Sequence, residues 1–316
     1  MSEQTNGDGE SVERNILEDL AHENLRERKR ARRWGIFFKS LFGLYLIAVT
    51  VMIAGNGIPT PTGPHTALVD LEGTIAANSE ADADTINEGL RNAFKATESK
   101  AVILRINSPG GSPVQASQIN AEIHRLREKY PDKPLYAVVT DMCASGGYYV
   151  AVAADRIYAD RASIVGSIGV LMDGFGFVNA MDKVGVERRL ITSGKHKGIL
   201  DPFSPLKPFD REYAEKLLDQ VHQQFIDTVK ADRGEKLSDS PDIFSGLFWT
   251  GQEALRLGLI DEFGTVGSVA RDVVGADTVV DYTPKQDLLG RVTKQLGVTI
   301  AGALKSSLIS DRFQLR

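Results

Sequence analysis

The chain has 316 residues, of which 42% are hydrophobic and 25% charged, and its net charge is −5. This composition excludes a wholly disordered chain and offers no overall basic charge for nucleic-acid binding, and the length allows one large domain or two small ones. The single cysteine, Cys143, excludes an intrachain disulfide and any multi-cysteine zinc or iron–sulfur site.

Residues 1–33 form a polar tail with no apolar run long enough for a core, and the segment is expected to be mobile. Six of its bases, Arg26, Arg28, Lys29, Arg30, Arg32 and Arg33, crowd its end. Residues 34–54, WGIFFKSLFGLYLIAVTVMIA, follow at once with one charge, Lys39. About 20 apolar residues cross a bilayer as a helix, so this segment predicts a transmembrane signal anchor. Lys39 can snorkel to the headgroups and Trp34 suits the interface. A cleaved signal peptide is the rival reading, set against the long polar lead-in and the lack of a clear A-x-A site. The basic cluster places the N-terminus in the cytoplasm by the positive-inside rule, and no Lys or Arg recurs until Arg91. The bulk of the protein is then extracytoplasmic. Residues 55–64, rich in Gly and Pro, read as a linker.

From residue 65 to 286 the pattern is that of an α/β domain with a mostly parallel core sheet. TALVDLEGTI, AVILRIN, LYAVVT, RIYAD and SIVGSIGVLM read as strands, the second and third as fully buried ones. Helical spacing covers roughly Asp84–Ser99, Val114–Tyr130, Tyr148–Ala154 and Asp210–Lys230, and WTGQEALRLGLIDEFG reads as turn, helix and strand. Residues 287–316 carry Leu288, Leu289, Val292, Leu296, Ile300 and Leu304 at helical spacing and predict a C-terminal helical tail.

Two strand–turn–helix junctions could carry chemistry. At Cys143-Ala-Ser-Gly-Gly, Ser145 would stand above a sheet edge with backbone N–H groups beside it. A serine N-cap before a glycine-softened helix start accounts for the same residues. At Asn107-Ser-Pro-Gly-Gly-Ser, paired glycines permit close approach of backbone amides to an anion, as an ordinary βα turn also would. A serine nucleophile needs a base. Of the five histidines, His22 is on the tail, His65 on the linker, and His124 and His222 on helices among polar neighbours. Only His196 lies in a Gly-bounded loop, SGKHKG, which also offers Lys195 and Lys197.

In order, SPGGS, ASGGYYVA, GSIGV, SGKHKG and W-T-G-x-E-A-x-x-x-G-L-I-D resemble the signal peptide peptidase A family of membrane serine peptidases, over roughly residues 65–270. The chain looks like the short form with one catalytic domain. The resemblance implies a crotonase/Clp-protease-like fold. Ser145 matches the family's nucleophile and Lys197 its general base, while Ser167 matches a serine that orients the lysine. Gly110, Gly111 and Gly146 match the region that supplies the oxyanion hole. His196 is then a loop-shaping residue and Lys195 a solvated charge. No cofactor or metal is implied.

A free lysine has a pKa near 10.4, so only about 0.04% is neutral at pH 7, and a lysine base must be desolvated. The resemblance further implies a homo-oligomeric ring with serine and lysine contributed by adjacent subunits, a bacterial inner-membrane location, and remnant signal peptides or other short apolar peptides as substrates. Two other readings stay open: a crotonase-like acyl-CoA enzyme using SPGG as its oxyanion hole, and a non-catalytic scaffold that binds membrane peptides.

Overall fold

A computed structural model describes residues 26, 28–30, 32–50 and 63–284. The tail before Arg26, the end of the apolar segment at 51–54, most of the linker and the helical tail at 287–316 lie outside the described residues.

The chain divides into two compact units at Thr60. In the first, helix α1 (Arg28–Thr50) contains an 18-residue stretch with a mean hydropathy of 1.2 and is long and apolar enough to cross a membrane. Its large side chains, Phe37, Phe38, Leu41, Phe42 and Leu44 among them, are exposed. The helix begins within the basic cluster, so Arg28, Lys29, Arg30, Arg32 and Arg33 share it with the apolar run.

The second unit is built on one eight-stranded sheet in which six strands follow the order β6-β5-β3-β2-β1-β8, with β4 beside β3 and β7 beside β4 off that path. The strands are β1 (His65–Glu72), β2 (Ser99–Ser108), β3 (Leu135–Ala144), β4 (Arg156–Ala159), β5 (Ile164–Gly166), β6 (Phe248–Thr250), β7 (Glu262–Phe263) and β8 (Val279–Asp281). Every pairing is parallel except β5 with β6. The sheet forks beside β3, where Tyr136–Val139 pair with β4 and Met142–Ala144 pair with β5. Ser163 donates its hydroxyl to the Thr140 carbonyl at the fork.

Helix α2 (Ala83–Lys95) starts where the Asp82 side chain accepts the Thr85 N–H, and α3 (Pro113–Lys129) starts with Ser112 as cap and Pro113 at the first turn. Ile86, Leu90 and Phe94 of α2 recur at i, i+4, i+8, and Ile119, Ile123 and Leu126 line one side of α3. They cover Val69, Leu71, Val102, Leu104, Ala137 and Val139 of the central strands. Burying each large aliphatic side chain is worth roughly 1.5–3 kcal/mol. The opposite face of the sheet, with Leu68, Ile103, Val138 and Tyr158, is covered by Val269 and Ala270. Helix α4 (Gly146–Ala151) follows β3 directly, α5 (Val178–Val184) has no buried residue, and α6 (Pro208–Arg233) is the long helix.

The expected parallel core is present, with a few differences from the sequence reading. Helix α2 ends at Lys95, and α4 begins at Gly146 instead of Tyr148. Strand β8 had no separate signal. His65, expected on the linker, is buried at the start of β1. Its Nε2 meets the Tyr282 hydroxyl at 2.9 Å and the two rings stack at 5.9 Å. Tyr282 follows β8, and its N–H donates to the Leu68 carbonyl.

Candidate active site

Strand β3 ends at Ala144, and Ser145 takes φ 53° and ψ −122° before α4 begins. A non-glycine residue held there carries strain of order 1–3 kcal/mol, which the surroundings must over-determine. They do so from several sides. The Ser145 N–H donates to the Gly166 carbonyl at 2.8 Å, and the Ser145 carbonyl accepts the Tyr149 N–H at 3.0 Å. Tyr148 is fully buried and its hydroxyl donates to the Leu259 carbonyl at 2.8 Å. That carbonyl belongs to a stretch clamped by the buried Arg233. The Arg233 guanidinium donates to the Gly258 carbonyl at 2.7 and 2.9 Å and to Asp261 Oδ2 at 2.8 Å. Asp261 also accepts the Ile157 N–H and the Lys236 ammonium. Burial alone would raise the Asp261 carboxyl, but these hydrogen bonds outweigh it and hold the group below the usual carboxylate range.

The glycine turn after β2 packs directly on this elbow. A Cβ on Gly110 would lie 2.6 Å from the Gly146 nitrogen and 2.7 Å from the Ser145 Cβ, at φ +96°. A Cβ on Gly111 would collide with the Ile75 carbonyl. Gly110 is buried and Gly111 exposed. The Gly110 N–H is already engaged, donating to the Ser108 hydroxyl at 3.1 Å. Among the described residues, no acceptor is bonded to the Gly111 or Gly146 N–H. A Cβ on Gly146 would stand 3.3 Å from the Gly111 nitrogen, so these two uncommitted amides are neighbours beside Ser145.

Ser167 is joined to the elbow through Gly166. It too has positive φ, 53°, and its N–H donates to the Leu247 carbonyl at 2.7 Å. His222 on α6 contacts the Ile168 carbonyl through Nε2 at 3.1 Å and is half-buried, unlike the solvated histidine expected there. Nothing in the local sequence signals this contact, which spans 54 residues.

Ser145, Ser167, Gly110, Gly111 and Gly146 therefore form one cluster in a single protomer. Lys197 does not join it. It sits on the turn after Gly194, exposed, and no hydrogen bond or ion pair links its ammonium to Ser145, Ser167 or any other described residue. Lys195 and His196 share that turn, and the His196 ring stacks on Phe209 at 4.3 Å. The stretch around it, residues 171–206, leaves Leu171 (79% exposed), Phe175 (81%) and Ile191 (95%) open to solvent. It also lines a cleft of about 1560 Å³ with Phe175, Phe177, Leu190 and His196, and Phe209 of α6 completes the lining. None of the cluster residues lines that cleft. Cys143, two residues before Ser145, is fully buried, and burial pushes its thiol pKa far up.

A mostly parallel α/β sheet with a strained serine at a strand–helix turn, faced by two free amides, fits a Clp-protease-like domain. The family model of peptidase family S49 matches residues 127–277. A Synechocystis sp. protein named "Putative protease slr0021" is 32% identical over 238 residues, covering 71% of this chain and 82% of that protein. The Arabidopsis thaliana protein named "Serine protease SPPA, chloroplastic" is 32% identical over 217 residues, 68% of this chain and 30% of that one. A Brucella abortus protein named "Na(+)/H(+) antiporter NhaA" is 46% identical over 210 residues, 66% of this chain, but the chain spans only 28% of that protein's length. The chain belongs to peptidase family S49, the signal peptide peptidase A family.

Proposed function

We propose that the chain is a membrane-anchored serine endopeptidase in which Ser145 is the nucleophile and Lys197 the general base. The observation that carries this reading is the strained Ser145 elbow with the free Gly111 and Gly146 amides beside it. Ser145 Oγ attacks the scissile carbonyl while Lys197 takes its proton. The Gly111 and Gly146 N–H groups stabilise the oxyanion, a term worth about 10²–10³ in rate per donor. Lys197 then protonates the leaving amine, and water releases the acyl group. Ser167 orients the lysine, and Gly110 gives the two turns room to touch.

A lysine base needs desolvation, and Lys197 is exposed on its own protomer. The apolar side chains around it are exposed as well. Both facts favour a site completed by an adjacent subunit of a homo-oligomeric ring, where a second copy covers the lysine and brings it to Ser145. Helix α1 and its basic start support a single-pass anchor in a bacterial inner membrane, with the N-terminus cytoplasmic and the catalytic domain on the far side. Remnant signal peptides and other short apolar peptides at that membrane face are the fitting substrates.

The test is hydrolysis of a fluorogenic apolar peptide by the detergent-solubilised full chain and by its Ser145→Ala, Lys197→Ala and Lys195→Ala variants. The first two should be inactive and the third active. Mixing Ser145→Ala with Lys197→Ala subunits should restore activity. Full activity in Ser145→Ala would overturn the nucleophile. No recovery on mixing, with subunit exchange shown by a tagged copy, would place both groups in one subunit.

A further inference from the structure

The first glycine of the turn does not spend its amide on substrate, and the residue that engages it is Ser108. This side chain is wholly buried. Its hydroxyl donates to the Gly73 carbonyl at 2.6 Å and accepts the Gly110 N–H at 3.1 Å. The one donor and one of the two acceptor sites of a serine are thereby both used within the protein. Gly73, at φ +82°, is the turn that ends β1, and its own N–H donates to the Asn107 carbonyl at 2.9 Å. Next to these bonds, the Ile75 N–H donates to the Gly110 carbonyl and the Ser112 N–H to the Ile75 carbonyl. Ser108 also meets the nucleophile helix: a Cβ on Gly147 would lie 3.1 Å from the Ser108 carbonyl oxygen and 3.3 Å from its Cβ.

We infer that Ser108 is a positioning residue for the oxyanion site. By tying the Gly110 N–H back to the β1 turn, it fixes the Pro109–Gly110 peptide plane, and with the Ile75 N–H holding the Gly110 carbonyl the next plane is set so that the Gly111 N–H stands beside the Gly146 N–H. The inference rests on the peptidase reading above. A hydroxyl at this place does not touch substrate. It acts by holding an amide still, and an oxyanion donor works through its fixed aim at the charge that develops in the transition state. Removing it should therefore weaken transition-state binding and leave ground-state binding alone, which lowers kcat with KM unchanged.

The experiment compares Ser108→Ala with Ser112→Ala in the full chain. Ser112 caps α3 at the other end of the same turn, with its hydroxyl accepting the Gln115 N–H, and its loss costs stability without touching Gly110. Ser145→Ala serves as the blank: if it hydrolyses peptide like wild type, the peptidase reading fails, whatever Ser108 does. If the blank is inactive, Ser108→Ala should show kcat reduced about tenfold or more and KM within about twofold. A peptide aldehyde, whose carbonyl oxygen becomes the oxyanion of a Ser145 adduct, should bind it weaker by the same factor as kcat falls. Ser112→Ala should keep wild-type kcat. A Ser108→Ala kcat equal to that of Ser112→Ala overturns the inference. If Ser108→Ala does not fold, hydrogen exchange of the wild-type chain decides. The Gly110 amide should be protected and the Gly111 amide fast, and a fast Gly110 amide overturns the inference.

Discussion

Replacing Gly110 by alanine tests whether the glycine turn and the serine elbow act as one body. The new Cβ would lie 2.6 Å from the Gly146 nitrogen, 2.7 Å from the Ser145 Cβ and 2.8 Å from the Ala144 carbonyl oxygen. Ordinary contact begins near 3.4 Å, so one turn must retreat by about 0.8 Å at its tightest point. The atoms that must give are backbone or sit next to it, and none is the end of a flexible side chain. Alanine at φ +96° adds backbone strain of order 1–3 kcal/mol. Overpacking of a close-packed site costs a further 1–3 kcal/mol or so. In a domain of this size each kcal/mol lowers Tm by roughly 2–4 °C. The catalytic effect should be larger than the stability effect, because a shift approaching 1 Å in the reacting geometry can cost about 10²-fold in rate. The assay pairs differential scanning with the rate of Ser145 labelling by a fluorophosphonate and with peptide hydrolysis. Labelling within threefold of wild type at an unchanged Tm would refute the coupling of the two turns.

Other consequences are as direct. Arg233→Leu strands Asp261 with only Lys236 as counter-ion, and should cost about 3 kcal/mol in urea unfolding, the low end for a broken buried pair; a loss below about 1 kcal/mol would contradict the clamp. Because the Asp261 carboxyl is held below its usual range, its contribution is fully present above about pH 4 and is lost as pH falls through the folded value. Asp261→Asn should therefore flatten the acid limb of the stability curve, and parallel acid limbs would count against it. His222→Leu should lower kcat several-fold by freeing the Ile168 carbonyl next to Ser167, whereas His222→Gln, which keeps a donor, should restore most of it; equal losses in both would remove His222 from the site. The Cys143 thiol, buried and with its pKa raised, should resist iodoacetamide at pH 8 in the native protein and react in urea. Rapid native labelling would show that the strand before Ser145 opens.

The strands that carry the site were readable because burial on both faces of a parallel sheet leaves long apolar runs. AVILRIN and LYAVVT needed no partner to be recognised as β2 and β3, and the glycine pairs after each marked the turns where Gly110 and Ser145 stand. What escaped was long-range. Strand β8 is three residues whose pairing with β1 closes a separation of more than 200 positions. The His222 contact joins α6 to the Ser167 loop, and helical spacing among polar neighbours describes a solvated face equally well. That the Gly110 N–H is bonded while those of Gly111 and Gly146 have no acceptor among the described residues depends on a serine hydroxyl whose direction no local pattern encodes. Residues 171–206 have no apolar periodicity aimed at their own core because they bury almost nothing there, and Lys197 shares that exposure.

The first residue of β1 and the residue after β8 are stacked and hydrogen-bonded, so the two ends of the described sheet, at residues 65 and 282, lie side by side. A unit with adjoining ends behaves as a cassette. It can be spliced between foreign sequences, or joined to a partner at either end, without prising apart its sheet.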